Sequence, residues 1–281
     1  MNPNTPPLPI PSNSLNWSGM THPGKVRKNN EDAFLALTVD GHYVQFLGKI
    51  GEAPLANADF IFAVSDGLGG HNAGEFASKI AVERITRLLP KSFRAAAQGL
   101  TPAYQEILEQ IFLEIHEEII LLGRSYEECK GMGATLSLAW FTPTWMHFCH
   151  IGDSRIYYLP KAGGIKQLTH DHTHVGWLRK KGEINEREAR FHPRKNLLSQ
   201  SLGAGHQIVR PQLGAVGHEP GDRFLLCSDG LIDGHWDRAL NDTIREPNPA
   251  TANLPHAQRL VEAAIANDGH DNTTAVVVEV G

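Results

Sequence analysis

The sequence predicts an α+β fold, with antiparallel β-sheets and the helices grouped apart from the strands. Three observations carry this. Several short segments are rich in β-branched and aromatic residues and bounded by Gly, Pro, Asp or Asn. Two of them are joined by the tight link Thr142-Pro143-Thr144, which makes an antiparallel hairpin. Two long helical patterns fall together in the first half, and hairpin-linked strands do not suit a doubly wound parallel sheet.

The strand segments run from Asp59 to Ser65, Ala134 to Trp140, Trp145 to Ile151, Arg155 to Leu159, Arg223 to Ser228 and Thr273 to Val280. A first helix is expected from about Gly74 to Leu89, stopping before Pro90. A second opens at Thr101-Pro102, an N-cap followed by proline at the first helical position. Its apolar residues Leu108, Ile111, Ile115, Ile119 and Leu122 recur every three or four positions, giving one buried stripe. A third helix lies around His256 to Ala266, before the last strand. The polar stretch from His174 to Asn196 reads as a helical excursion on the surface, and Asp40-Gly41 as an ordinary hairpin turn.

Composition sets the class. With 281 residues, 41% hydrophobic and 20% charged, the chain has ample length for a sizeable core. The net charge of −5 is spread along the chain with no basic block, so nucleic acid is not an expected partner. Three widely spaced cysteines form no disulfide framework and fit a reducing cytoplasm. No apolar run reaches membrane-spanning length, and the first residues lack the basic and apolar regions of a signal peptide. Residues 1–16 read as a mobile proline-rich arm and 17–281 as one domain; a monomer is the default expectation.

The acids are placed unusually. Asp66 and Asp229 each follow an apolar strand directly and precede Gly; Asp153 stands in a Gly-Asp-Ser turn; Asp271 comes just before the final strand. Each alone reads as a turn former. The same Asp-Gly pair closing two buried strands points further. Carboxylates brought together repel and raise one another's pKa unless a cation neutralises them. All-oxygen donors select hard ions such as Mg²⁺ or Mn²⁺ over Zn²⁺.

With these residues in view, the chain resembles the PPM-type, protein phosphatase 2C-like serine/threonine phosphatases in their bacterial form. The ordered motifs are Arg27-Lys28-Asn29-Asn30-Glu31-Asp32, Ser65-Asp66-Gly67-Leu68-Gly69-Gly70-His71, Gly133-Ala134-Thr135 and Gly152-Asp153-Ser154-Arg155. Leu202-Gly203, Ser228-Asp229-Gly230-Leu231 and Asp271-Asn272-Thr273-Thr274 complete the set. The resemblance implies a four-layer α-β-β-α sandwich of two antiparallel sheets flanked by helices. It implies two Mn²⁺ or Mg²⁺ ions bridged by Asp66, with the Gly67 carbonyl as a further ligand and Asp229 and Asp271 on the first ion. It further implies Glu31 near the second ion through water, with Asp32 in support, and Asp153 with Asp229 at the place of a third, weaker ion. Arg27 matches the phosphate-binding arginine, whose fork grips two phosphate oxygens.

The implied reaction is single-step hydrolysis of phosphoserine or phosphothreonine by a metal-bridging hydroxide. The implied partners are phosphorylated proteins, substrates of a bacterial serine/threonine kinase. The segment 174–196 matches the flap that influences substrate choice. Animal members carry a histidine two positions after the bridging aspartate, where this chain has Leu68. His71 and a metal-bound water are the two candidate sources of the leaving group's proton.

Rival patterns are also present. Cys149 to Arg155 fits C-x-x-G-x-x-R, a thiolate phosphatase signature, but the arginine opens a strand and Asp153 would repel the phosphate. Gly67 to Asn72 imitates a dinucleotide fingerprint that Asn72 breaks. His170, His172 and His174 alternate as zinc ligands can, yet with only Asp171 nearby they read as structural or solvated. Two other functions remain: a catalytically silent phosphoprotein-binding module, which needs a missing ligand, and a phosphatase of small phosphoesters.

Overall fold

The computed structural model describes residues 13–40, 43–56, 58–69, 73–97 and 104–281. In the first third lie β1 (Ser14–His22), β2 (Asp32–Val39), β3 (Val44–Phe46), β4 (Ile50–Pro54) and β5 (Asp59–Leu68). Helices α1 (Ala73–Ala97) and α2 (Tyr104–Ser125) follow, then β6 (Gly133–Ala134), β7 (Leu136–Phe141), β8 (Trp145–Ile151), β9 (Arg155–Leu159) and β10 (Lys166–Gln167). The segment 174–196 carries α3 (His174–Lys180) and α4 (Glu186–Arg190). The remainder is β11 (Leu202–Gly203), β12 (Gln212–Gly217), β13 (Arg223–Cys227), α5 (Asp229–Gly234), α6 (Asp237–Arg245), α7 (His256–Asn267) and β14 (Thr273–Val280).

One sheet runs β10-β9-β13-β14-β1-β4. The other is built on β5, which pairs β2 on one side and β6 and β7 on the other; β8 and β12 continue it, while β3 adds to β2 and β11 to β6. Every described pairing is antiparallel, as the hairpin logic requires.

Strand alternation sorts the core into three layers. On β5, Phe60, Phe62 and Val64 face the opposing sheet, where they meet Trp17, Phe224, Val276 and Val278. Its other face, Ile61 and Ala63, packs under α1 and α2 through Ala77, Ile85, Leu108, Ile111 and Ile115. The outer face of the six-stranded sheet, including Tyr157, Leu225 and Val277, is covered by α5, α6 and α7. The result is the four-layer α-β-β-α arrangement that the motifs imply.

The boundaries differ from expectation in places. β1 begins at Ser14 and pairs with both β14 and β4, so Ser14 to Asn16 belong to the domain and not to the expected arm. Residues 1–12, Gly41, and the proposed cap Thr101-Pro102 lie outside the described residues. Helix α1 does not stop at Leu89 but continues to Ala97. Pro90 removes one hydrogen bond from the ladder, yet Ala77, Ala81, Ile85 and Leu89 are fully buried on the sheet, and that packing carries the helix through. The expected strand Ala134 to Trp140 is interrupted at Thr135, which bonds sideways to Asp66. The polar stretch folds as two capped helices: Thr173 accepts from the Gly176 amide, and Asn185 forms a capping box with Glu188.

Phe62 lies fully buried between the sheets, edge-on to Phe141 at 5.8 Å. Truncation Phe62→Ala is expected to cost about 3–5 kcal/mol of stability. Urea unfolding measures it, and a loss below about 1 kcal/mol would contradict the assignment of the inter-sheet core.

Candidate active site

The candidate residues come from five chain segments and meet where strands of both sheets end. β2 and β5 pair so that Asp32 lies opposite Asp66. The Asp66 backbone is fixed from the other side, its amide donating to Thr135 Oγ1 at 3.0 Å and its carbonyl accepting from the Thr135 amide at 2.8 Å. Gly67 must be glycine: a Cβ there would stand 1.9 Å from the Gly74 carbonyl oxygen. The same close approach gathers oxygen donors, since a Cβ at Gly74 would lie 2.8 Å from Glu31 Oε1 and 3.0 Å from the Gly67 carbonyl oxygen.

Asp229 opens α5 directly after β13, and Asp153 occupies the turn between β8 and β9. That turn needs Gly152 in a left-handed conformation (φ +108°), and a Cβ there would meet Thr135 at 2.5 Å. Asp271 precedes β14; one of its oxygens accepts from the Asn272 amide at 2.8 Å and the other from half-exposed Arg27 at 2.7 Å. Arg27 thus stands at the edge of the cluster, where Glu31 and Asp66 also raise its pKa.

Electrostatics sets this cluster apart from ordinary turns. Burial pushes Asp66 and Asp229 well above the usual carboxylate range, and neighbouring acids push further: Asp32, Asp229, Asp153 and Asp271 on Asp66, and Asp153, Asp271 and Asp233 on Asp229. Asp32 rises to about 6 through burial, opposed by hydrogen bonds to Ser228 and Thr274. Asp153 rises to about 7, through burial and then Asp171, with Arg155 opposing. Glu31 is raised as well, chiefly by burial.

These residues fit hard divalent cations. The donors are all oxygen, they repel one another, and buried Asp32 Oδ1 has no hydrogen-bond partner. Among the described residues no three His, Cys, Asp or Glu side chains close into a finished ligand shell. Two of the acids instead lean on a donor of their own: Asp271 on Arg27, and Asp32 on Ser228, 2.6 Å from Oδ2.

The candidates thus converge, with one outside view: His71 lies outside the described residues, as do Gly70 and Asn72 of the supposed dinucleotide fingerprint. The thiolate reading fails on geometry. Cys149 is fully buried under α2, its thiol is pushed well up by burial, and both forks of Arg155 are taken by Asp171 at 2.8 and 2.6 Å. The alternating histidines do not share a strand face; His172 accepts from the Gly152 amide at 3.0 Å, and His174 opens α3. Asn272 is the residue sequence reasoning passed over. Its oxygen accepts from the Glu31 amide at 2.7 Å while its nitrogen donates to the Pro23 and Asn29 carbonyls, so one side chain ties the Arg27–Glu31 loop to Asp271. Its place beside an acid in the Asp-Asn-Thr-Thr motif was the available signal.

Comparison with known proteins identifies the chain's family. A family model for protein phosphatase 2C matches residues 51–265. Serine/threonine protein phosphatase PstP of Mycobacterium tuberculosis is 32% identical over 274 residues, covering 95% of this chain; the chain spans only 45% of PstP's length. Protein phosphatase PhpP of Streptococcus pneumoniae is 32% identical over 262 residues, covering 92% of this chain and 95% of PhpP. The crystal structure of the PstP catalytic domain in complex with two manganese ions superposes with a TM-score of 0.72 at 30% identity, covering 95% of this chain and 99% of that one. This chain belongs to the protein phosphatase 2C family.

A carboxyl group with a pKa higher in the folded than the unfolded protein stabilises the fold below its unfolded value, and that contribution is lost as pH rises through the folded value. For Asp32 and Asp153 the window runs from 3.8 up to about 6 and about 7. Chelator-treated protein is therefore expected to lose thermal stability between about pH 4 and about pH 7, and Mn²⁺ to raise the melting temperature more at about pH 8 than at about pH 5. Equal Mn²⁺ shifts at both pH values, read by calorimetry, would contradict the cluster's role.

Proposed function

We propose that this protein is a metal-dependent phosphoprotein phosphatase that hydrolyses phosphoserine and phosphothreonine. The observation that carries it is the convergence of Asp32, Asp66, Asp153 and Asp229, all raised chiefly by burial, with Asp271 beside them, in a member of this family. On this reading Asp66, the Gly67 carbonyl, Asp229 and Asp271 hold two Mn²⁺ or Mg²⁺ ions, with Glu31 near the second through water and Asp153 at a third, weaker position. When bound, such ions neutralise the acids, activate water and polarise the phosphoryl oxygens.

The chain's own residues then have separable tasks. Arg27 turns part of its fork from Asp271 to the phosphate and stabilises charge on its equatorial oxygens. Asp32, held by Ser228 and facing Asp66 across the strand pair, orients the donors around it. His71 remains the candidate proton donor to the leaving alkoxide. Substrates on this reading are proteins marked by a bacterial serine/threonine kinase. Among the described residues no helix is long and apolar enough to cross a membrane. The three cysteines are buried free thiols, in keeping with a reducing cytoplasm.

Hydrolysis of a phosphothreonine peptide is expected to require Mn²⁺ or Mg²⁺, to vanish in EDTA, and to fall at least about a hundredfold in Asp229→Asn. Cys149→Ser should retain full turnover. Activity that survives EDTA would sink the proposal, and sugar phosphates turned over faster than phosphopeptides would move the substrate class to small phosphoesters.

A further inference from the structure

Several flap side chains bond to the segment 233–237, which closes α5 and opens α6. Arg190, the last residue of α4, donates through Nη1 to the Asp233 carbonyl at 2.7 Å and through Nη2 to the His235 carbonyl. Its guanidinium lies over the Trp236 ring, 4.1 Å from the centroid. Around it, Glu186 accepts from the Asp237 amide at 3.0 Å and Lys195 holds both Asp233 oxygens at 2.8 Å. The core grips the same segment from beneath: Arg155 donates to the Tyr157 hydroxyl, which donates to Asp237 at 2.9 Å.

Helix α5 has six residues, too few to hold its shape unaided, and its first residue is Asp229. The carbonyls at a helix's C-terminal end lack intrahelical donors, and Arg190 supplies one to Asp233. We propose that Arg190 is a positioning residue for the metal centre: by clamping the end of α5 it fixes the placement of Asp229, so the flap sets cation affinity as well as bordering the substrate. The proposal rests on the metal-dependent reading of the site. It adds a task for the flap that its implied influence on substrate choice does not include.

Charge and position predict opposite signs. Arg190 lines the same cavity as Asp153 and Asp229. Removing a positive charge from beside those acids should, through electrostatics alone, tighten binding of a divalent cation. Loss of the clamp should weaken it. Only an arginine fork spans two carbonyls, so lysine restores the charge but not the geometry.

The test is calorimetric titration of the whole chain with MnCl₂. Arg190→Met should raise the Mn²⁺ Kd about tenfold and Arg190→Lys severalfold, in the range seen when ligand-orienting partners are removed. Amide exchange across residues 231–237 should quicken in both variants. Unchanged or tighter binding overturns the proposal; if the Met variant does not fold, the Lys variant decides by the same criterion. Wild-type protein that takes up no Mn²⁺ overturns the metal reading itself, whereas wild-type binding matched by both variants overturns the clamp alone.

Discussion

Buried carboxylates repel one another, and much of this structure serves to hold Asp32, Asp66, Asp153 and Asp229 together despite that, with Asp271 at their edge. Burial first, and neighbouring acids after it, raise the pKa values of Asp66, Asp229, Asp153 and Asp32, with Arg155 opposing at Asp153. Their backbones are fixed where their side chains would part. Thr135 pins Asp66, Asn272 ties the loop of Glu31 to Asp271, and Ser228 braces Asp32. Close backbone contacts that only glycine permits, at Gly67 and Gly230, bring these segments nearer than side-chained residues would allow.

The sandwich supplies the stiffness this needs. Residues on β5 alternate between the inter-sheet core and the helical layer, so a slip of one residue would exchange both faces and move Asp66 away from Asp32. Register in the core and geometry in the site are therefore one constraint. The short elements beside the site each bury little apolar surface, such as Leu231 on α5, Val175 on α3 and Ala189 on α4. They depend on side chain to carbonyl bonds, as Arg190 shows.

What the sequence made legible follows from this division. Strands at 145–151, 155–159 and 273–280 coincide with their expected limits because continuous apolar runs need no distant partner to be recognised. The acids were legible because aspartate at the end of a buried strand is chemically out of place. β1 was partly assigned to the arm, since one of its two neighbours, β14, lies more than 250 positions away. Helices α5 and α6 went unread because the first is too short to show a helical period. Residues such as Asn272 and Arg190 act on backbone carbonyls of other segments, and residue type alone does not announce such a partner.

The place of β14 carries a consequence for how the molecule comes into being. It lies in the middle of its sheet, between β13 and β1, and Asp271 and Asn272 immediately precede it. During synthesis β1 emerges with one of its two neighbours absent until the ribosome has passed residue 280. The loop that carries Arg27 and Glu31 likewise waits some 240 residues for the side chain that organises it. An unfinished chain therefore has most of the acids but not their convergence, and the carboxylate cluster is assembled only with closure of the fold.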